Sequence, residues 1–181
     1  MLPLDGPRWL SFKVFFGESA ELPRRIKAWQ TGIATKREPA LRAELIEQFL
    51  HQFSITEAAY AAVPHVIVTL ASLPPRRRLE ALAEVGLVEA ARQGDGTPKI
   101  PHGLSGTYTA SIERARAMAV ELFSLKWSKV EFRHLLSLTA SLHGHGVLGE
   151  LLFNLGCLGG SCPSCGEFVH LEEIEESGYG G

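Results

Sequence analysis

Cysteine is scarce in this sequence. The 181 residues hold three, crowded into Cys157, Cys162 and Cys165. An odd number gathered in one short stretch suits a reducing compartment better than a disulfide framework, so a cytoplasmic location is expected. Long apolar runs are missing as well. The longest, Ala58–Leu73, is interrupted by Pro64 and His65 and falls short of the ~20 residues a membrane helix needs. The first sixteen residues have neither a basic start ahead of an apolar run nor a small-residue cleavage site, so they read poorly as a signal peptide. No nucleophile elbow, phosphate-binding loop, dinucleotide fingerprint or zinc-protease helix occurs, and few carboxylates fall on apolar faces, which leaves little case for an enzyme. Lys and Arg are absent after Arg133.

That last absence divides the charge. The formal net charge is −2, which argues against a general nucleic-acid binder without excluding a local basic patch. Residues 1–133 nevertheless carry +4, and residues 134–181, with six Glu, carry −6. A mildly basic body precedes an acidic tail. With 45% apolar and 21% charged residues, the composition is that of a folded domain, and a chain of this length buries roughly 70% of its unfolded surface.

The apolar period is helical from about Glu21 onward. Leu41, Leu45 and Phe49 recur at four-residue steps in a helix that Pro39 opens, where its missing N–H costs nothing. His51-Gln52 falls in the turn after it and is expected to satisfy exposed backbone groups there. Ser54-Ile-Thr-Glu57 reads as a capping box for the next helix. Pro64 should kink that helix or split it into Thr56–Ala62 and a continuation to about Leu73. His65 is expected to be a core histidine bonded to a carbonyl the proline leaves free. Pro74-Pro75 starts a further helix to about Gln93, led by Arg76-Arg77-Arg78, three cations that oppose its dipole and read most simply as solvated. Gly94–Gly106 is a loop. The period returns over Ile112–Leu125. Ser128-Lys-Val-Glu131 is a second capping box, His143-Gly-His145 marks a helix C-terminus, and a last short helix carries Val147, Leu148, Leu151, Leu152 and Leu155.

The sharpest chemical feature is Cys162-Pro-Ser-Cys165-Gly166. Two thiolates at this spacing form half of a tetrahedral zinc site. Cys157 and His170, five positions to either side, complete a Cys3His set for one structural zinc. The plainer reading is reduced cysteines packing a turn. A redox dithiol would need a βαβ setting that the sequence lacks.

Phe16-Gly-Glu-Ser-Ala-Glu-Leu-Pro23, then His51-Gln52, Thr56-Glu-Ala-Ala59 and Ala61-Ala-Val-Pro64, resembles a family of small bacterial HEAT-repeat proteins with an ARM-like fold. Some members also end in an element similar to Cys162–Gly166. The resemblance spans roughly residues 14–93, and the long Gly94–Gly106 loop departs from it. It implies an all-α, HEAT-like α-solenoid of six to seven antiparallel helices over residues 1–156, with a Cys-rich knuckle, short strand and acidic tail at 157–181. It implies a non-catalytic scaffold for a protein partner, with Arg24, Arg42 and Arg76 along the accessible face. A HEAT-like DNA-binding protein or DNA glycosylase is the alternative, and a zinc or redox enzyme centred on Cys162 and Cys165 another. An immunity- or toxin-associated role follows by family analogy alone.

Overall fold

The protein was analysed as a computed structural model, which describes residues 1–155 and, beyond them, the backbone of Gly159–Ser161 and Phe168–His170. Cys157, Cys162 and Cys165 lie outside the described residues.

Prolines and caps set the helix starts much as their chemistry demands. Pro23 and Pro39 sit in the first turns of α1 (Leu22–Gly32) and α2 (Glu38–Ile46). Pro75 opens a 3-10 turn, Pro75–Arg78, that feeds α4 (Leu79–Arg92). Between them α3 (Ala58–Leu70) is one helix with Pro64 inside it, so of the two expected outcomes, a kink or a split, the split does not occur. Eleven of its thirteen residues are buried, so packing on all sides outweighs the lost backbone bond. After a loop come α5 (Ser105–Leu122), α6 (Lys129–Leu142) and α7 (Gly146–Asn154). The capping box at α6 is complete: Ser128 Oγ accepts from the Glu131 amide and the Glu131 carboxylate accepts from the Ser128 amide.

The other expected capping box is absent. Leu50–His51 (β1) and Ser54–Ile55 (β2) form an antiparallel hairpin, pairing Leu50 with Ile55 and His51 with Ser54. Its two-residue turn holds Gln52 at φ 46° and Phe53 at φ 56°, the left-handed region that costs a side-chain-bearing residue about 1–2 kcal/mol. Ser54 is therefore spent on the ladder, and α3 starts without a side-chain cap. His51 packs its ring on Phe15 and Phe16 instead of capping a turn. A second hairpin, β3 (Gly159–Ser161) with β4 (Phe168–His170), pairs Gly159 with His170.

The seven α-helices among the described residues make an all-α core. Helix α1 packs on α2, α3 on α5, and α4 on α6, while α7 lies against both α4 and α6. The N-terminal arm closes one side. Its Trp9 is buried and donates its indole N–H to the Pro3 carbonyl (2.9 Å). His65, buried as expected, meets the Leu2 carbonyl of this arm (2.9 Å) rather than a carbonyl freed by Pro64.

The arginine triplet is not simply solvated. Arg77 donates to the Ile33 carbonyl at the end of α1 (2.6 Å) and Arg78 to the Leu73 carbonyl beyond α3 (2.7 Å). Arg78 also reaches Glu121 in the last turn of α5 (2.7 Å), and Arg76 reaches the Lys126 carbonyl just past that helix (3.0 Å). The cations at the start of α4 thus sit at the C-terminal ends of three other helices, where the dipole favours them. The C-terminal ends of α1, α3 and α5 are gathered around one turn.

Helix α7 packs through glycine. A Cβ at Gly149 would meet Ser141 Oγ at 1.9 Å and the Ser137 carbonyl at 2.9 Å. Ser137 Oγ donates to the Gly149 carbonyl (2.6 Å), and Gln93 accepts from the Gly146 amide (2.8 Å). With the glycine side against its neighbours, Val147, Leu148, Leu151 and Leu155 are exposed. Among the described residues no helix is long and apolar enough to cross a membrane.

Candidate functional site

Helices α2, α4 and α6 form one wall of the molecule, and a groove of about 630 Å³ runs across it. Four-residue spacing decides what faces it. Glu38 and Arg42 lie one turn apart on α2, Glu80 and Glu84 one turn apart on α4, and such pairs share a helix face. Arg42 is largely buried and binds all three carboxylates. Its Nε donates to Glu38 (3.0 Å), one terminal nitrogen to Glu84 (2.9 Å), and the other to Glu80. Burial works against the Arg42 charge, but Glu84, Glu38 and Glu80 outweigh it and raise the guanidinium above its ordinary value.

One guanidinium against three carboxylates leaves negative charge uncompensated, and Glu84 carries the consequence. Burial pushes its carboxyl up to about 7, against the pull of Arg42. Its Oε2 is buried without a hydrogen-bond partner among the described residues. A quarter of the side chain, 24%, still reaches solvent through the groove, while Glu80 beside it is 73% exposed.

The far side of the groove is aromatic. Trp127 donates its indole N–H to the Leu122 carbonyl (2.7 Å), fixing the ring at the end of α5. The Arg76 guanidinium stands 5.1 Å from the centre of that ring and 3.7 Å from Glu131, an arrangement stabilised by the ring quadrupole. The Ser128 amide and hydroxyl hold the exposed Glu131 carboxyl below its usual range. Phe153 of α7 closes one end, stacked on His134 (5.3 Å) and meeting the hairpin residue Phe53 edge-on (6.2 Å). Of the three arginines expected on the accessible face, Arg42 and Arg76 line this groove. Arg24 lies elsewhere, paired with Glu21 on the surface.

A second ionised cluster is closed. Glu89 on α4 is 2% exposed, accepts from Tyr108 (2.5 Å), and takes both nitrogens of the Arg92 fork (2.8 and 2.9 Å). Burial, then the Glu89 charge, pushes the Tyr108 phenol well above its usual value. Tyr60 packs edge-on to Tyr108 and donates to the Pro98 carbonyl (2.7 Å), so the cluster anchors the Gly94–Leu104 loop. Among the described residues both oxygens of the buried Glu89 have donors, so its chemistry is structural. Sequence reading passed over this carboxylate, whose signal is a Glu set among Val85, Leu87, Val88, Ala90 and Ala91 with an arginine one turn on.

Cys157, Cys162 and Cys165 are outside the described residues, and His170 is placed only by its backbone, opposite Gly159 in β4. Among the described residues no group of three or more His, Cys, Asp or Glu is arranged to hold a metal. No family model, curated protein or solved structure matches the chain.

Proposed function

We propose that the chain is a non-catalytic scaffold of HEAT-repeat type that binds a protein partner along the α2/α4/α6 wall. The carrying observation is the groove itself, which crosses three helices that are not consecutive and is lined by apolar as well as charged side chains. The solenoid part of this reading draws support from the pairing of α1 with α2, α3 with α5 and α4 with α6, and from the meeting of the C-terminal ends of α1, α3 and α5 at one turn. Stacked helix pairs of this kind bury a continuous core and leave one long face for binding. The arginines of the groove, Arg42 and Arg76, are already paired with its glutamates, which leaves them less of their charge for phosphates and weighs against the nucleic-acid alternative.

A photoreactive residue at Val130, exposed in the groove, should give a discrete protein adduct in cells, and one at Val120, exposed on α5, should not. Equal labelling from both positions would count against the reading.

One structural zinc on Cys157, Cys162, Cys165 and His170 also belongs to this proposal. Its support is that the Cys162-Pro-Ser-Cys165 run links two antiparallel strands, and that thiolates at this spacing suit a tetrahedral metal. The purified chain should carry one zinc that Cys162→Ser removes. Freshly reduced protein without metal would end that part of the proposal.

A further inference from the structure

We propose that the groove takes a basic segment of the partner, with an arginine or lysine of that segment seated against Glu80 and Glu84. This rests on the scaffold reading and adds the partner's chemistry to it. Three observations lead there. Among the described residues Glu38, Glu80 and Glu84 pair with one cation, Arg42, and although burial leaves Glu84 about half protonated near pH 7, Glu38 and Glu80 alone outnumber it. Glu84 Oε2 is a buried acceptor with no donor among the described residues, and a buried acceptor left unmade costs about 1–3 kcal/mol. The carboxylate torsion is soft, so a small turn lets an arriving N–H share the carboxylate with Arg42, which holds Oε1 (2.9 Å). The opposite side already shows what the groove accommodates, since Arg76 lies over Trp127 and beside Glu131. Pro39, Leu73, Val130 and Phe153 line the remainder, so apolar residues flanking the cation have places to pack.

The test uses the full chain and a labelled nonapeptide alternating Arg and Leu, against the same peptide with citrulline for Arg. Citrulline keeps the shape and removes the charge. The Arg peptide should bind at least tenfold more tightly, and E80Q/E84Q should abolish that difference. E18Q/E47Q, which removes the same charge at exposed sites outside the groove, should keep it. Because the Glu-rich run after His170 would itself attract the peptide, the titration is repeated with Glu172, Glu173, Glu175 and Glu176→Gln, and the preference should survive. Should E80Q/E84Q fold poorly, E80K at the exposed position serves, and it should repel the Arg peptide. A preference that persists in E80Q/E84Q or E80K, or none in the wild-type chain, overturns the inference. Hydrogen exchange separates the two levels. Protection of α2, α4 and α6 by the citrulline peptide as strong as by the Arg peptide leaves the scaffold standing and removes the basic partner. Protection by neither removes the groove as the binding face.

Discussion

At the scale of single residues, two glutamates on one helix have opposite fates. Glu84 is held near 7 while its ordinary value is 4.5, so the folded chain keeps a proton that the unfolded chain has released. Stability from this group is therefore present at low pH, declines as pH rises above about 4.5, and levels off above about 7. E84Q removes that slope. Its melting temperature at pH 8 should exceed the wild-type value, by about 2–4 °C for each kcal/mol recovered, and the two curves should converge toward pH 4. A lower melting temperature for E84Q at pH 8 would show that the Arg42 bond outweighs the desolvation. Glu89 differs from Glu84 in its bonding, since both its oxygens have donors. Y108F should cost about 1.5–3 kcal/mol in urea unfolding, the worth of a hydrogen bond to a charged group. E89A should cost about 3 kcal/mol or more, because Tyr108 and Arg92 both lose their partner.

At the scale of elements, helix existence was legible and helix facing was not. Pro39, Pro75 and the Ser128 box announce their helices through purely local chemistry, and the structure bears them out. Ser54-Ile-Thr-Glu57 carries the same local signal, yet the pairing of Leu50 with Ile55 competes for those residues and wins. Arg42 could not be assigned its role because two of its carboxylates lie 38 and 42 residues away. The leucines of α7 have correct helical period, but period does not say which side turns inward. Gly146 and Gly149 decide it: Gly149 lets the backbone approach α6 more closely than a Cβ permits, and Gly146 leaves little room for one against α4. G149A should therefore lift α7 from Ser137 and Ser141 and cost about 1–3 kcal/mol. L148A, at an exposed position of the same helix, should change stability by less than about 0.5 kcal/mol. Paired urea titrations of the two variants decide the matter.

At the scale of the whole molecule, stability should fall away from the middle. Helices α3 and α4 are buried on nearly every side, whereas α7 buries only its two glycines. Native-state hydrogen exchange should find the slowest amides in α3 and α4 and earlier opening in α7. Uniform protection across all seven helices would contradict this gradient. Arg76, Arg77 and Arg78 add a mechanical condition. One turn is fastened to the ends of α1, α3 and α5 at once, so the spacing of those ends is gauged by three side chains of fixed reach. Like the rivet of a fan, the turn holds those three ends at one edge, so α1, α3 and α5 part most readily at their opposite ends.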